Sequence, residues 1–496
     1  MKLLIAPFAV VLSLLPNGSA PARAAVDPAS AKLAAALESI REQHLKADVF
    51  FIASDELAGR DTPSEGLKIA ARFLRSRLER LGWQPGAENG YFHLWDLEST
   101  GLDIANCKLE LARGEQRLGL QLGKDYWLGR GAPRQQTPIE GGLVFGGDGA
   151  KETLEQLEVA DKWVLVLDPG KDLRETRRSL GRMGARGLLV IPPADFKGES
   201  YEKRFGPDLE ALEKGSYQPV RPREAAQRSP RNPQIGTLYL AAEAKQKLLG
   251  LLGRQEGELA GAGLELSVSE QRPGLAGGGR LQMENVAGLW PGSDPVLSKE
   301  VIILSAHYDH VGVGRKGIYN GADDNGSGTC GLLAVAEALT HMGPLRRSVL
   351  ILWVSGEEKG LWGSEAWNEK PWLPEGSKAV ANINIDMIGR NAPDKLLITP
   401  TSEHKSYSFL TRVAESVAPL EGFPKLASAD EYWQRSDHYN FVKAGIPACF
   451  LFADVHEDYH QVSDDPEKLD YDKIRRVSRL VVRMLDALQQ DVIDGQ

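Results

Sequence analysis

The stretch "SAHYDHVGVGRKGIYNGADDNGSG", residues 305–328, decides how the chain folds and where its chemistry lies. It is preceded by the apolar run "EVIIL" and followed by "TCGLLAVAEALTHM", whose apolar positions recur at helical spacing, so it reads as a loop between a buried strand and a helix. His307, Asp309, Asp323 and Asp324 all fall inside it. Taken singly, each has an ordinary explanation: aspartate is a preferred helix N-cap, and a lone His-x-Asp recurs by chance. The rest of the chain argues otherwise.

Further along, "RRSVLILWVS", "KAVANINID" and "PACFLFA" repeat the apolar strand signal and alternate with helical stretches. Strands this apolar are covered on both faces, and alternation with helices implies a mostly parallel, doubly wound α/β sheet. In such sheets the functional groups gather in the crevice at the carboxyl ends of the strands. His307 and Asp309 follow the first strand, Glu357 and Glu358 the second, Asp386 the third, and His456 and His460 the fourth. Four strand ends and one helix start deliver ligand-type side chains to one edge, which chance caps and exposed charges do not explain together.

Imidazole and carboxylate in this proportion suit a pair of divalent cations, zinc above all, sharing one bridging carboxylate. Asp323, in the glycine loop, is the expected bridge. His307 and His460 would each serve one ion, with Glu358 and Asp386 completing the two shells. Metal-bound histidines usually pass their second N–H to a carboxylate. Asp309 and Asp464 are spaced for that supporting role, and Asp324 stands beside the bridge as another supporting group. Glu357 is left as general base toward an attacking water. The expected chemistry is peptide hydrolysis without a covalent intermediate. A Ser-His mechanism is disfavoured, since no G-x-S-x-G elbow occurs and Ser436 and His438 are too close in sequence to form a triad unaided.

At 496 residues the chain exceeds one ordinary core. Residues 26–128 and 273–496 read as the metal-bearing domain. Residues 129–272, with the short strands "GGLVFGG", "KWVLVLD" and "GLLVIPP" and no histidine, read as a small inserted α/β domain. The formal charge of -9 leaves no basic face for nucleic acid. Residues 1–24, a lysine and an apolar stretch ending in Ala22-Arg23-Ala24, read as an export signal, and no later segment approaches the roughly 20 apolar residues a membrane span needs. A periplasmic or extracellular protein is therefore expected. Cys107, Cys330 and Cys449 are too few for a disulfide scaffold, although one bridge among them is compatible with an oxidising compartment.

The motifs "SAHYDH", "GADDNGSG", "SGEEKGLWGS", "NIDMIG", "SDHYNFVKAGIPA" and "DYHQVSDD" occur in an order that resembles the co-catalytic zinc aminopeptidase family, which also contains glutamate carboxypeptidases and transferrin receptors. "DELAGR" resembles the family's opening segment, and "GARGLLVI" resembles the protease-associated domain that many members carry as an insertion. The resemblance implies two Zn2+ held by His307, Asp323, Glu358, Asp386 and His460, with Asp323 bridging, Glu357 as base and a cis peptide between Asp323 and Asp324. It also implies a tyrosine upstream of "SDH" that holds the oxyanion, for which Tyr432 is the candidate. The paired aspartates resemble the aminopeptidase branch, whose substrate is a peptide with a free N-terminus. A single-zinc glutaminyl cyclase, a carboxypeptidase and a non-catalytic receptor are the alternatives on the same fold.

Overall fold

The apolar runs that follow residue 280 become the strands of one large sheet. The computed structural model describes residues 28–129, 135–220, 235–260, 264–275 and 279–490; the export signal read over 1–24 lies outside them. In chain order the strands are β1 (Leu281–Trp290), β2 (Glu300–His307), β3 (Ser348–Val354), β4 (Lys378–Asp386), β5 (Leu396–Thr399), β6 (Leu426–Ser428) and β7 (Ala448–Phe452). Their order across the sheet is β6-β5-β7-β4-β2-β3-β1. The four central strands, β7, β4, β2 and β3, run parallel. β1 lies antiparallel to β3, and β5 antiparallel to β7. β5 follows β4 after a connection without a helix, too short for the crossover of a dozen or more residues that a parallel return needs.

All seven residues of β3 are buried, as a strand covered on both faces requires. On one face α4 (Gly328–Met342) packs on β2 and β4 and is itself covered by α1 (Pro28–Ser39), α2 (Glu42–Ile52), α3 (Glu65–Arg80) and α8 (Tyr471–Ala487), the last also meeting α6 (Phe409–Val417). On the other, Trp367 of α5 (Trp362–Glu369) and Phe441 of α7 (His438–Lys443) join Ile303, Leu350 and Leu352 in one buried cluster. Because the central strands are parallel, their carboxyl ends share one edge.

The chain divides into two units, Met1–His93 with Glu284–Gln496, and Leu94–Met283. The second unit is therefore larger than the 129–272 expected from sequence. The strands Lys108–Arg113, Gln116–Leu120 and Tyr126–Leu128, assigned from sequence to the metal-bearing domain, pair inside it: Lys108–Arg113 lies antiparallel to Ser267–Arg272, and Tyr126–Leu128 antiparallel to Gly236–Leu240. Its middle is parallel, with Gln135–Phe145, Lys162–Leu167, Gly187–Ile191 and Gly236–Leu240 in succession. Short strands advertise their type but not the sheet they join. All three cysteines are buried free thiols, so no disulfide forms among them.

Candidate metal centre

Ligand-type side chains stand at the ends of the central strands, with Asp323 and Asp324 in the loop before α4. His307 is the last residue of β2 and Asp386 the last of β4. Glu357 and Glu358 follow the turn after β3, and His456 and His460 lie in the loop after β7. Two groups form. In one, His307 Nε2 lies 3.2 Å from Asp386 Oδ1 and 3.4 Å from Asp324 Oδ1. In the other, His460 Nε2 lies 3.1 Å from both Asp324 Oδ2 and Glu358 Oε2. His310 joins the second group, its Nδ1 2.7 Å from Glu358 Oε1 and 3.8 Å from Asp324 Oδ2. Within each group the candidate ligand atoms lie within 4.8 Å of one another.

The residues fit divalent cations. Glu358 Oε1, His460 Nε2 and His310 Nδ1 are buried without a well-formed hydrogen bond, although carboxylates and imidazoles crowd around them. Buried polar atoms are normally paired, and a set of orphans converging on one point asks for an ion. The electrostatics agree. Burial works against ionising Asp324, yet His307 and His460 hold its carboxyl well below the usual range. Against the same pull of burial, Asp386 and Glu357 hold the His307 imidazole well above its ordinary value.

The shared carboxylate is Asp324, not Asp323. Asp323 is fully buried but turned the other way, its Oδ1 accepting the Gly389 N–H at 2.7 Å and its Oδ2 3.1 Å from His456 Nε2. The cis peptide is likewise one position on, between Asp324 and Asn325. In a run of two aspartates, composition cannot say which one the backbone turns toward the sheet edge. Asn325 sets that direction: its Oδ1 accepts from Gly328 and Met387 N–H, and its Nδ2 donates to the Ile385 carbonyl, tying the loop to the end of β4.

One of the supporting groups differs from expectation. Asp464 does not orient His460; its carboxylate accepts the backbone N–H of Asp323 and of Asp324, at 3.1 Å each. Asp309 keeps the place expected of it, facing His307 Nδ1 with its backbone carbonyl at 3.2 Å and its carboxylate at 3.7 Å, and the same carboxylate receives the Thr62 hydroxyl and the Glu357 N–H. Arg60 and Ser436 complete the frame. Arg60, of "DELAGR", is fully buried and donates to the carbonyls of Ile52, Tyr308, Asn320 and Gly321. Ser436 donates to Asp386 Oδ2 at 2.8 Å and is itself held by Asn384, which bonds Ser305. Ser436 thus orders a ligand-type carboxylate; Asp437 accepts from Ser364, and His438 stacks on Phe450.

Glu357 takes no part in either group. Burial, Glu358, Asp437 and Asp386 hold its carboxyl well above the ordinary value, with His307 the main opposing influence. Tyr432 spends its hydroxyl on Asp454, 3.3 Å away. The phenol that senses the centre is Tyr459, stacked on His460; burial and then the carboxylates of Asp324, Glu358, Asp386 and Glu357 push its pKa up. Its place beside His460 in "DYHQ" was the available signal.

Residues 285–485 match the model of Peptidase family M28. A probable leucine aminopeptidase of Arthroderma otae is 31% identical over 201 residues, covering 38% of this chain and 54% of that protein. Leupeptin-inactivating enzyme 1 of Streptomyces exfoliatus is 31% identical over 187 residues, covering 37% of this chain and 38% of the other. The chain thus spans about half or less of the length of these curated relatives. Among solved structures, an aminopeptidase from Aneurinibacillus sp. strain AM-1 aligns with a TM-score of 0.50 at 16% identity, covering 94% of this chain and 98% of that one, a likeness of fold. Residues 285–485, the stretch that carries both ligand groups, are thus the part of the chain that is similar to Peptidase family M28.

Proposed function

We propose that the protein is a dinuclear metallo-aminopeptidase that removes N-terminal residues from peptides. The observation that carries this reading is the division of the Asp324 carboxylate, Oδ1 toward His307 and Oδ2 toward His460. His307, Asp324 and Asp386 would hold one ion, and Asp324, Glu358 and His460 the other. Such ions, zinc by donor set, polarise a carbonyl and lower the pKa of water. Glu357 takes the proton of the attacking water and hands it to the departing amine. The Tyr459 hydroxyl donates to the carbonyl oxygen as it gains charge. Asp464, Arg60 and Ser436 keep these groups in place.

The export signal read over 1–24 puts this activity outside the cytoplasm, and no helix among the described residues is long and apolar enough to cross a membrane. The unit Leu94–Met283 is read as the protease-associated insertion on the strength of its parallel middle and the strand within "GARGLLVI".

The test combines metal analysis of the purified protein with a panel of aminoacyl anilides, free and N-acetylated. Two zinc ions per chain and cleavage of the free-amine compounds alone are expected. Glu357→Gln should retain both ions and lose about 10²- to 10⁴-fold in kcat. Cleavage dependent on a free C-terminus, or release of pyroglutamate from N-terminal glutamine, would move the protein to the carboxypeptidase or cyclase reading.

A further inference from the structure

We infer that His310 is a fourth protein ligand on the Asp324–Glu358–His460 side, so that the two cation positions are unequal, one held by four protein donors and the other by three. The inference rests on the dinuclear reading above and adds to it a residue that the five-ligand set omits.

Four observations carry it. His310 is fully buried, and neither of its ring nitrogens has a hydrogen-bond partner among the described residues, a condition that buried imidazoles rarely tolerate. Its Nδ1 approaches the same two carboxylates as His460, at 2.7 Å from Glu358 and 3.8 Å from Asp324. It does so without hydrogen-bond geometry, as does His460 Nε2. The two rings lie 5.6 Å apart at 71°, so they reach the carboxylates from different directions, as two ligands of one tetrahedral ion must. Finally, the space for the ring depends on glycine. A Cβ at Gly321 would stand 2.4 Å from His310 Cγ, and Gly321 has φ +59°.

A consequence for the site follows from ligand count. Two imidazoles and two carboxylates make a closed four-coordinate set of the kind that retains zinc structurally, whereas three protein ligands leave a position open. The open position would then belong to the His307–Asp324–Asp386 side. Substrate and Glu357 would then work at the three-donor position, while the four-donor set would anchor the other ion.

The experiment is zinc K-edge X-ray absorption on the full-length, zinc-loaded protein, with zinc content measured in parallel. His307, His310 and His460 as ligands give three imidazoles over two ions, an average of 1.5 per zinc; without His310 the average is 1.0. The His310→Gln variant, which keeps a polar side chain at this position, should fall to the lower value and lose one zinc at a chelator concentration that the parent withstands. A parent average of 1.0, or a variant spectrum identical to the parent's, overturns the inference. Should the variant fail to fold, the parent average decides alone. One zinc per chain would defeat the dinuclear reading and not this one, which would then be judged by two imidazoles on that zinc against one. No retained zinc would overturn both.

Discussion

Acid should destabilise the protein through one identifiable side chain. His438, at the start of α7, is fully buried, stacked on Phe450 at 4.9 Å and edge-on to Trp433 at 5.3 Å. Burial drives its pKa down from 6.5 to about 3, the Trp433 carbonyl offering only a partial counterweight. In the folded protein the ring stays neutral while the unfolded chain takes up a proton as pH falls through 6.5. The native state binds fewer protons in that window, so this contribution is complete above pH 6.5 and is lost progressively toward pH 3. Between about pH 7.5 and about pH 5 the loss from this group is about 2 kcal/mol, and the full shift amounts to about 5 kcal/mol. Urea unfolding of the full-length protein and of His438→Phe, each at both pH values, isolates the effect, because titrations common to both proteins cancel in the difference. The variant should lose about 2 kcal/mol less than the parent on acidification. Equal losses would mean that the ring is charged or hydrated in the folded state, and the argument from burial would fail.

The identity of the bridge is tested by two neighbouring substitutions. Asp324→Asn should release metal from both positions and abolish activity, whereas Asp323→Asn, altering only a supporting carboxylate, should keep the ions with an affinity or activity loss of about 10- to 100-fold, both read by metal content and kcat/KM. Tyr459→Phe should lower kcat by about 10²- to 10³-fold, as removal of an oxyanion donor does, while Tyr432→Phe leaves it near the parent value. Arg60→Met removes a buried cation that serves four backbone carbonyls and should cost about 3 to 5 kcal/mol in unfolding experiments; a loss under about 1 kcal/mol would show that water replaces the guanidinium without penalty.

The sheet and the edge that carries the ligands were legible because parallel strands buried on both faces leave long apolar runs, and the polar residue ending each run is visible by contrast. β2 with His307 and β4 with Asp386 are the clearest cases. Directions of individual side chains were not legible. Asp323 and Asp324 are the same residue type one position apart, and only the contacts of Asn325 and Asp464, the latter more than a hundred residues away, decide which faces the edge. Asp464 has a sequence spacing that suits an imidazole partner, yet the backbone of the glycine loop claims it. Tyr432 precedes "SDH" as expected, but the short 3-10 turn Asp430–Tyr432 that it ends aims its hydroxyl at Asp454. The boundary of the inserted unit was misplaced for a related reason, since strand pairing between residues 108–113 and 267–272 joins segments that no local pattern connects.

The clamp on the glycine loop has a consequence for biosynthesis. Arg60 grips the carbonyls of Asn320 and Gly321 from a segment made early, whereas Asp464 holds the amides of Asp323 and Asp324 from one made almost last. The loop is therefore only half-secured until residue 464 is in place. A chain truncated before that point would lose the hold of Asp464 on Asp323 and Asp324, and with it the orientation of the carboxylate that the two ligand groups share.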